Sequence, residues 1–422
     1  MATTTASGAA AELASRFQAV RRRTLTLCAT LSPEDMLVQS APETSPVKWH
    51  LVHTAWFFEQ HVLLVFDETY VAFDEAFLRL FDSLYASVSE APWQRLRASF
   101  ARPGLDEILR YRAHVDTQIG RLLSVPVATE MLRRVELAIS HEELHQEQML
   151  ADLLHAFYTN PLAAAYSPNE ALLAGAAGDP GPLEFLEFSA ARREVGYAGA
   201  GFCYDNELPR HRVWLETYSL ADRLITCGEY AAFIADGGYR KPELWLADGW
   251  DAVEIGGWQA PQYWMKREGE WSVFTLHGAL SLASVKNLPV THVSFYEAEA
   301  FARWVGARLP GELEWEAGCE CDATGGNLLD SGRLLPAPAP AQQGEVLRQA
   351  LGDAWEWTAS AYTGYPGYRP GVGIADNGRY MSGKMVLRGG SCLTPARHIR
   401  PSYRNFLTPE TRHHCTGIRL AY

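Results

Sequence analysis

The residues of this 422-residue chain best placed to do chemistry are His141 and His145, in the stretch SHEELHQEQML. A spacing of four is slightly more than one helical turn, so on a helix both rings leave the same face with Cβ atoms about 5–6 Å apart. Two imidazoles so placed can share one transition metal. A third ligand is on offer upstream, in SPVKWHLVHTAWFFE, where His50 and His53 lie three apart on another expected helix and share a face. Three imidazoles without a carboxylate suit iron, zinc, copper or nickel rather than magnesium or calcium. A facial set of three leaves positions open for substrate and dioxygen. Glu142 and Glu143 follow the first histidine, and HEELH also satisfies the HExxH pattern of zinc proteases, which makes a zinc hydrolase the competing chemistry.

These histidines need helices to hold them. Residues 10–31 have helical periodicity, with Leu13, Phe17, Val20, Leu27 and Leu31 near one face and Thr24 interrupting the stripe. Ser45 and Pro46 read as an N-cap and a first-turn proline opening a helix to about Leu64. On that helix Lys48 and Glu59 are expected to meet solvent. Residues 71–89 read as a connection with a short helix, and 105–123 and 128–157 as two further long helices. Four helices of this length can place metal ligands from facing sides of a bundle core. After residue 160 the composition changes to Ala, Pro and Gly, and beyond it come short β-like runs such as HRVWLETYSL, many glycines and tryptophans, and one clear helix near 295–309. The expected class is therefore α+β, with a helical domain at 1–165, a linker at 166–182 and a loop-rich domain at 183–422. In that second domain Trp315, Trp355 and Trp357 are expected in the core, and Arg388, beside Gly389 and Gly390, as a buried charge at a tight turn.

A net charge of −13 without a basic block argues against nucleic acid as a partner. No apolar run reaches the roughly 18–20 residues that span a bilayer, which argues against a membrane. No signal peptide is recognisable at the start, and seven irregularly spaced cysteines suggest no disulfide framework, so a cytoplasmic location is expected. The CxC at Cys319 and Cys321 lacks the second pair a zinc site would need.

The stretches LPVTHVSFYEAEAFARWVGARLPGELEWEAG, GDAWEWTAS, VLRGGSC and SYRNF resemble the formylglycine-generating-enzyme, or sulfatase-modifying-factor, domain, a C-type-lectin-like fold. SPVKWHLVH together with HEELHQE resembles the metal site of DinB-like four-helix bundles. Both in this order, over nearly the whole chain, resemble the ergothioneine sulfoxide synthase family. The resemblance implies mononuclear non-haem Fe(II), dioxygen, and small-molecule substrates: hercynine, the trimethylated betaine of histidine, and a donor whose chalcogen is joined to imidazole C2. It also implies His53, His141 and His145 as iron ligands, and Asn405 and Phe406 as contacts to hercynine, the ring facing the quaternary ammonium. The close cysteine pair of the formylglycine-generating enzymes has no counterpart, since Cys392 and Cys415 are far apart in sequence.

Departures from the family pattern fall on positions that the resemblance assigns to the donor. Leu144 stands where relatives carry glutamine, Leu84 replaces a tyrosine while Tyr85 remains, and Asp376 replaces another tyrosine with Tyr380 nearby. Leu407 stands where an acid is expected in relatives that take γ-glutamylcysteine, and an aromatic run is replaced by one containing His413, His414 and Cys415. This pattern is similar to the selenoneine synthase branch, which joins a selenosugar to hercynine; a selenosugar brings hydroxyls in place of an ammonium and a carboxylate. Leu144, His413 and His414 are accordingly expected to meet substrate, and Tyr380 to act as a proton or hydrogen donor. The alternatives are an ergothioneine sulfoxide synthase using cysteine or γ-glutamylcysteine and, more distantly, a zinc hydrolase or a non-catalytic lectin-like binding module.

Overall fold

Trp49, Leu51, Val52, Ala55, Trp56, Phe57 and Phe58 leave their helix no polar face, and a helix apolar all round must be buried on every side. In the computed structural model, which describes residues 2–82, 97, 101–168, 178–319, 325–341 and 346–422, all twelve residues of this helix, Val47–Phe58, are buried. The chain divides into two units, Met1–Leu162 and Ala163–Tyr422. Residues 169–177 of the expected linker, and Leu84, Tyr85 and Cys321, lie outside the described residues.

The first unit is helical: α1 (Ala2–Cys28), α2 (Val47–Phe58), α3 (Glu75–Leu80), α4 (Leu105–Leu123) and α5 (Thr129–Thr159). Helix α2 packs on α4 and α5, and α1 packs on the same two. The buried stripe of α1 is Phe17, Val20, Arg21, Thr24 and Cys28. Thr24 thus does not interrupt the stripe; it belongs to it, and Leu13, Leu27 and Leu31 are only half-buried. On α4 the buried set is Ile108, Tyr111, Arg112, Val115, Ile119 and Leu123, a 3–4 spacing broken chemically by one arginine.

Two expectations on α2 fail for the same reason: it is central and has no solvent side. Lys48 is buried and donates from Nζ to the Ala101 carbonyl (2.9 Å). Glu59 is fully buried and accepts from Tyr70 Oη, Tyr111 Oη and the Phe73 N–H. Nor is Ser45 the N-cap: Pro46 holds that position with extended backbone, while the Ser45 N–H donates to Asp152 Oδ2 (2.9 Å). After Phe58 the helix widens into a π turn, Glu59–Leu63, before a last turn at Leu64–Phe66.

The second unit is built on small sheets. Strands β1 (Phe185–Phe188) and β4 (Tyr218–Ala221) pair antiparallel, as do β2 (Ala191–Val195) and β3 (His211–Leu215). Strands β5 (Trp264–Arg267), β6 (Glu270–Thr275) and β7 (Gly278–Ser281) form a meander. The largest sheet runs β10 (Asn405–Leu407), β9 (Met385–Arg388), β8 (Trp355–Ala361), β11 (Thr416–Gly417), with β11 parallel to β8. Helix α6 (Cys227–Ala235) opens on a capping box of Thr226 with Glu229, α7 (Phe295–Trp304) on one of Ser294 with Glu297, and α8 spans Glu312–Gly318. Each box satisfies amide donors that a helix start leaves open.

Trp315, Trp355 and Trp357 lie in the core as expected. Around them the unit buries cations, and every such cation has an acid. Arg419 donates from Nε and Nη2 to Glu356 (2.6 and 2.9 Å), which also accepts from Trp315 Nε1 (2.7 Å). Arg388 reaches Glu312 and Glu316 (3.0 and 2.9 Å), and Arg404 grips Glu312 with two bonds of 2.8 Å. Gly389 has φ +94°, and a Cβ there would stand 2.6 Å from the Ala350 carbonyl oxygen, so the turn after Arg388 requires glycine.

Candidate metal centre

Helix α2 carries His50 and His53, and α5 carries His141 and His145, so the two helices face each other across their histidines. A ligand atom from each of His53, His141 and His145 lies within 4.8 Å of those of the other two, the one such group among the described residues. His141 and His145 bring their Nε2 atoms to 3.2 Å. Two nitrogens at that separation, each about 2.1 Å from a shared ion, subtend roughly 100° at it, between an octahedral and a tetrahedral angle. The three rings stand at 61–67° to one another with centroids 4.5–5.2 Å apart.

Aromatic neighbours set the ring planes. His53 is stacked between Trp49 and Trp56 (5.4 and 5.3 Å), and Phe57 stacks on His141 at 3.9 Å. Nδ1 of His53 donates to the Phe81 carbonyl (2.8 Å), which leaves Nε2 with its lone pair. Burial disfavours the charged form of His53 and His145: it pulls His53 down to about 3, the Phe81 bond opposing, and takes His145 well below its ordinary value, with His141, His53 and His50 adding to the effect. Neutral imidazoles with lone pairs converging are the form a metal requires. The donor set therefore fits a bound ion.

His50 is not among the three. Its Nδ1 lies 2.9 Å from His145 Nδ1 and its Nε2 3.1 Å from Asp152 Oδ2. Asp152, Phe81, Arg21 and Arg112 were not marked by the sequence reading. Asp152 did carry a signal: it lies two turns beyond His145, the one acid on an otherwise apolar stretch MLADLL.

Glu142 settles the competing HExxH chemistry. In such proteases this glutamate is the base that works on metal-bound water. Here it is fully buried and points at α1 and α4: Oε1 accepts from Thr24 Oγ1 (2.6 Å) and Arg112 Nη2 (2.9 Å), and Oε2 from Arg21 Nη1 (2.8 Å). Burial raises its pKa, but Arg21 and Arg112 together outweigh that and hold it at about 2. It is a structural counter-ion.

The other expected site residues lie in the second unit, apart from Leu144, which sits half-buried between the two histidines of α5. Asn405 and Phe406 are on β10, in register with Leu387 and Val386 of β9. The Phe406 ring stacks on Tyr362 (4.1 Å) and lies 5.5 Å from Tyr380 at 25°. The Lys384 ammonium stands 4.8 Å from the Phe406 centroid and 5.0 Å from that of Tyr380, its pKa lowered by burial. Tyr380 is thus part of an aromatic group that already holds a cation. His413 and His414 pair their rings at 4.4 Å just before β11, and burial, with His413 and His292, keeps His414 well below its usual range.

Cys392 and Cys415 are 23 residues apart in sequence, yet their Sγ atoms are 3.9 Å from each other and both are buried. Strands β9 and β11 flank β8, and the Cys392 N–H and the Cys415 thiol both donate to the Asp353 carbonyl. Sequence distance is therefore no ground for denying a cysteine pair.

Comparison with known proteins completes the site. The DinB superfamily matches residues 16–149, and the sulfatase-modifying factor enzyme 1-like domain matches 189–333 and 339–422. A hercynine oxygenase of Mycolicibacterium thermoresistibile is 30% identical over 98% of this chain and 95% of its own. That of Mycobacterium tuberculosis is 35% identical over 68% of this chain and 70% of its own. A formylglycine-generating enzyme of Streptomyces coelicolor is 28% identical over 53% of this chain and 83% of its own. Among the described residues no helix is long and apolar enough to cross a membrane. With both domains in the same order and a hercynine oxygenase matched almost end to end, the chain belongs to the hercynine oxygenase family, the ergothioneine sulfoxide synthases.

Proposed function

We propose that this chain is a non-haem iron enzyme that uses dioxygen to join a chalcogen donor to C2 of the imidazole of hercynine. The observation that carries the reading is the convergence of His53, which is buried, with His141 and His145, which are half-buried: one ligand nitrogen of each lies within 4.8 Å of the others, and the Nε2 atoms of the last two are 3.2 Å apart. Bound there, Fe(II) supplies the redox chemistry with dioxygen. What the chain itself contributes is position and charge. The two tryptophans and Phe57 keep the imidazoles in plane. In the second unit, Phe406 offers its face to the quaternary ammonium, an attraction of about 0.5–2 kcal/mol, and the Lys384 contact supports a preference of this ring for cations. Asn405 supplies a side-chain amide beside it, and Tyr380 a hydroxyl as proton or hydrogen donor.

The donor we favour is a selenosugar, which makes the protein a selenoneine synthase. Leu144 and Leu407 support it: neither side chain can hold the ammonium or carboxylate of an amino-acid donor, and a selenosugar carries neither group. The second reading, a sulfoxide synthase that takes cysteine or γ-glutamylcysteine, is the activity that the family resemblance favours. The test is an aerobic assay of anaerobically Fe(II)-loaded protein with hercynine and, in parallel, cysteine, γ-glutamylcysteine and a selenosugar, read by mass spectrometry. A carbon–selenium product is expected; a product with a thiol and none with the selenosugar overturns the choice of donor.

A further inference from the structure

We propose that Asp152 and His50 form a hydrogen-bonded relay that fixes the tautomer of His145 and so decides which of its nitrogens meets the metal. The inference rests on the metal-binding role proposed above for His53, His141 and His145. Its geometry begins at the carboxylate. Asp152 is buried beneath α2, where Oδ2 accepts from the Ser45 N–H at 2.9 Å and stands 3.1 Å from His50 Nε2. The oxygen that accepts from the Ser45 N–H is the same one that faces His50, so it is the acceptor there too and His50 Nε2 is the donor. A neutral imidazole that donates at one nitrogen carries its lone pair at the other. Nδ1 of His50 is therefore the acceptor in its 2.9 Å contact with His145 Nδ1, and His145 must bear its hydrogen there.

The consequence falls on the far side of the ring. With Nδ1 protonated, His145 presents a bare Nε2, the atom that lies 3.2 Å from His141 Nε2. The opposite tautomer would put an N–H where the ion belongs. His53 reaches the same end by a different device, its Nδ1 donating to the Phe81 carbonyl. Two ligands thus have their protons parked on the outer nitrogen, one by a backbone carbonyl and one by a buried acid acting through a second histidine. The relay also explains why a histidine with no place in the triad lies buried on the ligand face of α2. It is a positioning residue, and its ring stands at 61° to that of His145, edge to face.

The test reads the tautomer and the metal separately. Metal-free protein carrying ¹⁵N-labelled histidine is examined by long-range ¹H–¹⁵N correlation, with His145→Gln used to assign the signal. His145 protonated at Nδ1 and bare at Nε2 is expected; the Nε2–H form overturns the proposal. His50→Phe removes both bonds at similar volume, and Asp152→Asn keeps an oxygen acceptor while removing the charge. Anaerobic Co(II) titration, followed by its visible absorption, is expected to give a dissociation constant about 10–100-fold higher for His50→Phe, the range for loss of an outer-shell partner, and a smaller rise for Asp152→Asn. A His50→Phe protein with native circular dichroism that binds Co(II) within twofold of wild type overturns the relay. Should that variant fail to fold, the wild-type tautomer decides alone. Wild-type protein that takes up neither Co(II) nor Fe(II) overturns the metal-binding role itself, and the relay with it, a result distinct from normal uptake by His50→Phe.

Discussion

Replacing Glu142 by Gln tests whether the glutamate of HEELH holds the fold or performs chemistry. The side chain keeps its volume and one oxygen for Thr24, but Arg21 and Arg112 lose the negative charge between them. All three side chains are at most 3% exposed, so water cannot take its place. Breaking a buried pair by removing one partner costs about 3–5 kcal/mol. A second route gives a similar figure: the carboxyl is held at about 2 against an ordinary 4.5, which at 1.36 kcal/mol per pH unit is on the order of 3 kcal/mol. Asp116 still pairs with Arg21 (2.6 Å), so the lower half of the range applies. Urea unfolding followed by circular dichroism, with a slope of about 2 kcal/mol per molar, turns a loss of about 3 kcal/mol into a midpoint lower by roughly 1.5 M. A midpoint shift below about 0.3 M would refute the reasoning. So would a stable variant that has lost a hydrolase activity shown by the wild type, which would return Glu142 to the role of a base.

Three further outcomes are expected. His141→Ala removes one of the three converging imidazoles together with its stack on Phe57; it should retain helical circular dichroism and lose Co(II) uptake, and unchanged uptake would sink the three-histidine site. Phe406→Leu should weaken hercynine binding about 2- to 30-fold by calorimetry, the equivalent of about 0.5–2 kcal/mol, and unaltered affinity would remove the ring from substrate binding. Asp353 is raised by burial to about 6 despite the donors Asn327 and Ala337. Its folded pKa thus lies above the unfolded value near 3.8, so its contribution is fully present below about pH 3.8 and is lost as pH rises through about 6, in total about 3 kcal/mol. Asp353→Asn keeps an oxygen for both donors and sheds the charge, so its unfolding free energy should gain on wild type by up to that amount between about pH 4 and pH 8; a constant difference would disprove the account.

The helical unit was legible wherever burial obeyed periodicity. Leu105–Leu123 matches the expected helix at both ends, because its buried positions keep a 3–4 spacing from Ile108 to Leu123, Arg112 included, and Gly104 and Ser124 bound it. What periodicity cannot convey is a charge with a reason to be inside. Lys48, Glu59, Arg21 and Arg112 each look like solvent-facing residues until the partner is known, and those partners come from other elements, from 11 residues away for Tyr70 with Glu59 to 121 for Glu142 with Arg21. The pairing of His141 and His145 was visible because spacing on one helix is a local property. The His50 position was not resolved by spacing, since His50 and His53 share a face; their distant partners, Asp152 for one and the Phe81 carbonyl for the other, separate their surroundings. Cys392 and Cys415 make the same point in the sheet unit, where neighbours across β8 are remote in the chain.

The π turn at Glu59–Leu63 has a consequence for how the protein can change. A π turn holds one more residue than an α turn, so everything after it is rotated by about 100° relative to a continuous helix. The portion of the helix that carries His50 and His53 ends before the turn, Val62 and Leu63 are buried at its far end, and the last turn, Leu64–Phe66, follows from it. The two portions are therefore out of phase by construction. Deleting one residue within the turn would restore an ordinary helix and swing Val62 and Leu63 off the core while leaving the histidines where they are. In the language of machine parts, the turn is a coupling: it lets the ligand-bearing end keep its angle while the anchoring end is indexed independently, so that selection on one need not disturb the other.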